Sequence, residues 1–135
     1  MRQSITQESD YGCGLACYAF ALGISYKEAE RQLGEKQANS NRFYVKDLTL
    51  SLNKAGITYK SNYIKPYIHR IIYREGSIVL IRRSKTYKVG HYLIRHEGKW
   101  MDPWINLPMN NDIKQAKSGF RKRLPGKPIY VIYPF

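Results

Sequence analysis

The stretch from Gln7 to Tyr18 constrains the fold most, because it sets a cysteine between two glycines where an apolar run begins. It reads Q-E-S-D-Y-G-C-G-L-A-C-Y, and small or apolar residues continue as far as Gly23. A helix that is apolar on most sides belongs in the middle of a domain, and glycine is a typical helix end. The sequence therefore predicts a central helix that begins at Cys13, with this thiol at its N-terminus.

Further helices are expected in the first half of the chain. Ser25 followed by Glu28 forms a capping-box pattern, which predicts a second helix ending near Gly34. Apolar residues recur at helical spacing through residues 45–55, and Gly56 follows them, which predicts a third helix. Pro66 opens a segment that indicates a short helix with proline in its first turn, and residues 35–42 are expected to form a polar loop.

The spacing changes to that of strands in the second half. Short β-branched or alternating runs predict strands at residues 57–63, 77–82, 89–95, 99–102 and 129–133. Residues 106–123 are polar and basic, which predicts a connection containing one helical turn near residues 112–117. Helices followed by strands predict one α+β domain over residues 1–135, with an antiparallel sheet packed on the central helix.

Charge and cysteine content narrow the function classes. The chain carries 23 Lys and Arg residues against 10 Asp and Glu residues, a net charge of +13. Such a charge attracts acidic partners such as nucleic acid, anionic lipid or an acidic protein, or it serves as a solvated surface, and charge alone does not choose between them. The partner we expect is a peptide or protein substrate, for which an acidic character stays open. The first ten residues lack an apolar signal-peptide core and no stretch is apolar enough to span a membrane, so a cytoplasmic location is expected. Two cysteines exclude a disulfide framework.

Four residues from distant parts of the chain suit nucleophilic chemistry. Cys13 at a helix N-terminus meets free N–H groups and a positive dipole end, which favour a thiolate. His91 on a predicted strand would be its base. Asp102, carried by the strand that returns after Glu97-Gly98, would orient the imidazole. Gln7, six residues before Cys13, would donate to the oxyanion; an exposed glutamine is the ordinary alternative, and Gln3 competes for the role.

The other cysteine, the other histidines and the nearby aromatic residues are expected to have structural roles. Cys17 lies one turn deeper on the same helix face and is expected in the core. His96 neighbours a tight turn and is expected to be exposed, and His69 lies in the short helix. Trp100, Met101 and Trp104 are expected to wall the site. Neither a zinc pattern nor a phosphate loop is present, so no metal or cofactor is expected.

These motifs together resemble the bacteriocin-processing cysteine peptidases that cleave double-glycine leader peptides, a branch of the papain-like clan. The resemblance rests on Gln7, the run D-Y-G-C-G-L-A-C at residues 10–17, G-H-Y at residues 90–92 and Asp102-Pro103. It implies a papain-like fold and a thiol peptidase with Cys13, His91, Asp102 and Gln7 as its catalytic residues. Gly12 stands where that family usually has aspartate.

Two other functions stay open on the sequence alone. A papain-like thiol site also serves deamidation, isopeptide cleavage and acyl transfer. The positive charge and the twelve tyrosines are also compatible with a nucleic-acid-binding module, in which basic groups neutralise phosphates and aromatic rings stack on bases.

Overall fold

The computed structural model describes residues 2–107 and 109–135, with the side chains of residues 66–69 excepted. In these described residues, four helices precede all of the strands: α1 (Cys13–Leu22), α2 (Tyr26–Leu33), α3 (Glu35–Ala38) and α4 (Val45–Lys54). The described strands are β1 (Tyr59–Tyr63), β2 (Ile78–Ile81), β3 (His91–His96), β4 (Lys99–Asp102), β5 (Gly119–Arg121) and β6 (Pro128–Pro134). Two 3₁₀ segments, Pro66–Tyr73 and Ile113–Gln115, lie between them.

The helix boundaries follow local signals in the sequence. Gly23 ends α1 in the left-handed conformation, with φ of 70°. The hydroxyl of Ser25 accepts a hydrogen bond from the backbone N–H of Glu28 and so caps α2. Pro66 opens the 3₁₀ segment, as predicted. The predicted loop at residues 35–42 is wrong in part, because Glu35–Ala38 forms one helical turn directly after α2.

The six described strands form one antiparallel sheet in the order β1-β6-β2-β3-β4-β5. The α+β prediction is therefore confirmed. β5 was not expected, because Gly-Phe-Arg lies inside a polar, basic segment and is too short to show strand periodicity. It extends the sheet beyond β4, with Arg121 opposite Trp100.

Alternation along the strands divides the apolar residues between the two faces of the sheet. One face packs on α1, whose residues from Cys13 to Phe20 are all buried, and it contributes Ile78, Ile94 and Met101 to that core. The other face contributes Val79, Leu93 and Trp100 to a second cluster. The expectation that Trp100 and Met101 would wall the site is wrong, because Trp100 packs in this second cluster, Met101 packs in the core beside α1, and neither lines a cleft that Cys13 lines.

Among the described residues, no helix combines the length and apolar character that crossing a membrane requires.

Candidate active site

Cys13 is the first residue of α1. Its helix has Gly12 as N-cap, with no side chain capping the first turn and no acidic residue in it. The N–H groups at this end are therefore free of side-chain acceptors and available to an anion. Cys13 keeps 8% of its surface exposed, whereas Cys17, one turn further on, has none. The prediction that Cys17 belongs to the core is confirmed.

Gly12 leaves no room for the aspartate of the resembled family. A Cβ atom added there would run into the hydroxyl of Tyr26. Tyr26 is itself buried, and its hydroxyl donates to the side-chain oxygen of Asn39. A side chain before the cysteine would displace this buried tyrosine, and the sequence carries glycine at that position for a steric reason.

His91 opens β3, and two neighbours hold its ring. Gly90 has φ of 86°, and a Cβ atom there would lie 2.9 Å from the carbonyl oxygen of Ile81, so only glycine fits this approach. The ring of Tyr87 stacks on the imidazole, with 4.6 Å between centroids and 13° between planes. His91 is 3% exposed. Its ring therefore has a defined direction without any bound ligand.

Asp102, at the end of β4, joins His91 to the neighbouring strand. Its Oδ1 atom lies 2.7 Å from Nε2 of His91 and also accepts a hydrogen bond from the backbone N–H of Trp104 at 3.0 Å. The Asp-Pro-Trp sequence thus forms a turn held by the aspartate, while the same carboxylate contacts the imidazole. Because Nε2 is occupied, Nδ1 is the nitrogen left for Cys13.

Arg121 on β5 completes a row of side chains across three strands. Its Nη1 atom lies 3.0 Å from Oδ2 of Asp102, whose side chain is fully buried. A second bond, from Nε of Arg121 to the carbonyl oxygen of Arg123 at 2.9 Å, fixes the guanidinium. Both oxygens of the buried carboxylate therefore have partners, as a buried charge requires.

The pKa shifts of His91 and Asp102 result from these same contacts. Burial alone would lower the pKa of His91, but the interactions with Asp102 and with the Cys13 thiol outweigh it and raise this pKa from 6.5 to about 9. Burial would likewise raise the pKa of Asp102. The bonds from His91, from the Trp104 N–H and from Arg121 together hold it below its ordinary value. The site therefore favours a charged imidazolium beside a charged carboxylate.

Gln7 is brought to the same place by the N-terminal arm. Its backbone N–H donates to the carbonyl oxygen of Pro103 at 3.2 Å, next to Asp102. The side chain is buried, and its Nε2 donates to the carbonyl oxygens of Ser9 at 2.9 Å and Asp10 at 3.3 Å. Its Oε1 has no partner in the described part of the chain. Gln7 lines one cleft together with Cys13 and His91.

Cys13 lines two clefts. The first, about 560 Å³, is here called the aromatic cleft. Its lining includes Phe43, Tyr44, Tyr63, Tyr92 and Tyr130. The second, about 480 Å³, is called the polar cleft, and its lining includes Gln7, Lys85, Lys88, His91, Trp104 and Asn111. Both clefts include Cys13 in their lining, so a substrate bound at the thiol has both clefts within reach.

The structure brings Cys13, His91, Asp102 and Gln7 together from four separate segments. Trp104 lines the polar cleft, as expected. The expectation that His96 is exposed is wrong: it is 8% exposed and bonds Glu75 at 2.7 Å through Nδ1. The side chain of His69 lies outside those described.

Sequence reasoning missed Arg121 and Tyr87. Arg121 lies in a basic run with Lys122 and Arg123, which gives no sign of a partner, and only the unforeseen strand β5 turns it towards Asp102. Tyr87, in the turn before β3, carries no local signal that distinguishes it from the other tyrosines.

No protein-family model and no curated protein matches the chain. The chemistry must therefore be inferred from the geometry itself. A cysteine that is 8% exposed at an uncapped helix N-terminus lines a cleft together with a buried imidazole that a carboxylate holds. This arrangement is suited to nucleophilic attack on an acyl carbon.

Proposed function

We propose that this protein is a cysteine peptidase of papain-like fold, similar to the peptidases that process double-glycine leader peptides. The observation that carries the proposal is the convergence of Cys13, His91 and Asp102, with 2.7 Å between Nε2 and Oδ1 and with Cys13 and His91 lining one cleft. The nucleophile's helix packed on an antiparallel sheet that carries histidine and aspartate supports the papain-like fold.

The reaction begins with proton transfer within the site. Nδ1 of His91 takes the proton of Cys13, and the resulting thiolate attacks the carbonyl carbon of the peptide bond. The carbonyl oxygen becomes an oxyanion. When the intermediate collapses, the C–N bond breaks, and the imidazolium gives its proton to the departing amine. An acyl-enzyme remains, with the substrate's acyl group joined to sulfur as a thioester.

A water molecule completes the cycle. His91, now neutral, takes a proton from water as its oxygen attacks the thioester. The C–S bond breaks, the carboxylic product leaves, and the proton returns to sulfur. Asp102 stays ionised throughout and holds the ring so that Nδ1 faces the reacting atoms. Arg121 keeps that carboxylate charged and fixed.

Gln7 and the backbone N–H of Cys13 are the proposed donors to the oxyanion. The amide nitrogen of Gln7 carries two hydrogens, and its shorter bond, to Ser9 at 2.9 Å, uses one of them. The other makes only the longer contact with Asp10 at 3.3 Å, and it is the hydrogen that turns to a developing negative charge. Loss of such a donor costs roughly 3 kcal/mol of barrier.

The position of His91 assigns a direction to the substrate. The group that protonates the departing amine must lie beside the leaving half of the substrate. His91 and Gln7 line the polar cleft and do not line the aromatic cleft. The leaving half therefore runs through the polar cleft, and the acyl half lies in the aromatic cleft.

The test is a cleavage screen with a matched pair of cysteine variants. A peptide library made from a bacterial proteome is incubated with wild type, Cys13→Ala and Cys17→Ala, and new amino termini are identified by mass spectrometry. We expect the same cleavages from wild type and Cys17→Ala and none from Cys13→Ala. A thioester-linked adduct of mass equal to the acyl half should accumulate on Cys13 at low pH.

Other outcomes would contradict the proposal. Release of ammonia from glutamine side chains without new termini would make the enzyme a deamidase. Transfer of the acyl half to an added amine in place of water would make it an acyltransferase. Cleavage that persists in Cys13→Ala would remove this thiol from the mechanism altogether.

A further inference from the structure

The positive charge of the chain is concentrated in two segments. Residues 82–90 and 119–128 carry four basic residues each and no acidic residue. Apart from Arg121, which bonds Asp102, they are Arg82, Arg83, Lys85, Lys88, Lys122, Arg123 and Lys127, here called the basic face. All seven side chains are exposed. The chain's excess of positive charge is thus strongly local.

The fold places these two segments side by side. The backbone N–H of Arg82 donates to the carbonyl oxygen of Lys127 at 2.9 Å, and Gly126 lies against the side chain of Ile81. At the other end, burial raises the pKa of Tyr87, and the guanidinium of Arg121 is close enough to oppose that rise. Two segments nearly forty residues apart therefore form one continuous surface.

No carboxylate neutralises this surface in the described part of the chain. None of the seven side chains of the basic face forms an ion pair there, whereas Lys27 and Arg31 elsewhere pair with glutamates. Asp10 is the one carboxylate among the residues that line the polar cleft. Seven like charges without partners repel one another, and an acidic ligand would relieve that repulsion.

The basic face meets the active site on one side only. Lys85 and Lys88 line the polar cleft together with His91, and neither lysine lines the aromatic cleft. The leaving half of a substrate must pass His91 to receive its proton. The charge therefore lies where the chain that follows the scissile bond emerges.

We propose that the basic face is a specificity site that selects polypeptides with acidic residues after the scissile bond. The inference rests on the proposed function, since the direction of the substrate follows from the role of His91. Because the basic face is positively charged, its ligand is acidic. Because the face is continuous with the polar cleft, that ligand is the leaving half of the substrate itself. Glutamate and aspartate side chains bind Lys85 and Lys88 first and the outer residues of the face next.

The first experiment compares two substrates that share an acyl half taken from a peptide cleaved in the screen. One has glutamates in the leaving half and the other has glutamines. We expect wild type to prefer the acidic peptide in kcat/KM by about fivefold at low ionic strength, with the preference shrinking as salt is added. Lys85→Gln/Lys88→Gln should abolish the preference, so that this variant cleaves the two peptides with equal kcat/KM.

The matched control is Lys36→Gln/Lys54→Gln, which removes the same charge from exposed positions outside both clefts. This variant should keep the full preference, because a general loss of net charge is not the cause. Equal kcat/KM for both peptides in wild type would overturn the inference while leaving peptidase activity intact. An equal loss of preference in both double variants would overturn it as well.

A binding experiment separates the two proposals, because it needs no turnover. Cys13→Ala protein is titrated with a fluorescein-labelled glutamate-rich peptide, and anisotropy is read with and without the Lys85→Gln/Lys88→Gln change. Weakened binding in the variant supports the basic face even if no peptide is ever cleaved. If single-stranded DNA binds more tightly than the acidic peptide at physiological salt and depends on the same lysines, the face serves nucleic acid and the inference is overturned.

Discussion

Replacing Arg121 by glutamine tests the row of side chains across β3, β4 and β5. The change removes the guanidinium that lies 3.0 Å from the fully buried carboxylate of Asp102, while the bonds from His91 and the Trp104 N–H remain. A hydrogen bond to a buried charge contributes about 1.5–3 kcal/mol. The side chain of Arg121 is 29% exposed, so water screens it in part, and we expect a loss of about 2 kcal/mol in unfolding free energy.

Urea denaturation at pH 7 measures this loss, and thermal unfolding should show a decrease of about 6 °C in Tm. Arg123→Gln is the control, because it removes a neighbouring exposed charge that makes no ion pair in the described structure. The folded-state pKa of Asp102 is depressed, so the stability that this group contributes is present above its ordinary value of 3.8 and is lost as the pH falls below it. The difference between Arg121→Gln and wild type should shrink in that acidic range. Equal stability of Arg121→Gln and Arg123→Gln at pH 7 would refute the role of Arg121.

Three more predictions concern the same site. Asp102→Asn should lower the pKa of His91 from its value of about 9, because burial is then opposed by the Cys13 thiol alone. NMR titration of histidine-labelled protein measures this pKa, and an unchanged value would contradict the pairing. Gly12→Asp should lower the unfolding free energy by about 2 kcal/mol, because the new side chain displaces the buried Tyr26. Combining it with Tyr26→Phe, which removes the clashing hydroxyl, should recover stability. Urea denaturation measures both variants, and no recovery in the double variant would contradict the clash. Gly90→Ala should lower the unfolding free energy by about 1–2 kcal/mol in the same assay and slow peptide cleavage, because the positive φ of Gly90 and the nearby Ile81 carbonyl exclude a Cβ atom. A variant as stable as wild type would contradict this and show that β3 adjusts to the added methyl group.

Most of the helical half was predictable because its signals are local. The Ser25 cap, the left-handed Gly23 and the proline at the start of the 3₁₀ segment each act within a few residues. The apolar run after Cys13 has no polar side, and that is why it predicts a buried helix without predicting its neighbours. These elements could be recognised before any tertiary contact was known.

The errors concern contacts between distant segments. His96 follows a tight turn, which favours exposure, but Glu75 and the ring of Phe20 enclose it from elsewhere in the chain. β5 forms because the edge of β4 offers hydrogen-bonding partners to Gly119–Arg121. Three residues are too few to show the alternation that predicts a strand from sequence. Arg121 therefore could not be assigned to Asp102 from spacing.

The reactive residues of the candidate site could be predicted because their side-chain chemistry suits nucleophilic catalysis. Cys13, His91 and Asp102 were chosen for chemistry and predicted secondary structure, and the fold brings them together. The residues that hold them, Tyr87 and Arg121, act through stacking and charge at short range, and only coordinates reveal such contacts.

The central claim is that His91 activates Cys13. Iodoacetamide alkylation at about pH 6 tests it most directly, because a thiol without a basic partner is protonated and unreactive at that pH. Peptide mapping should find Cys13 modified rapidly and Cys17 unmodified, since burial raises the pKa of the Cys17 thiol well above its ordinary value. His91→Ala should abolish the fast reaction, whereas His96→Gln, which alters another buried histidine, should retain it. Alkylation of Cys13 no faster than that of Cys17, or as fast in His91→Ala as in wild type, would contradict the account.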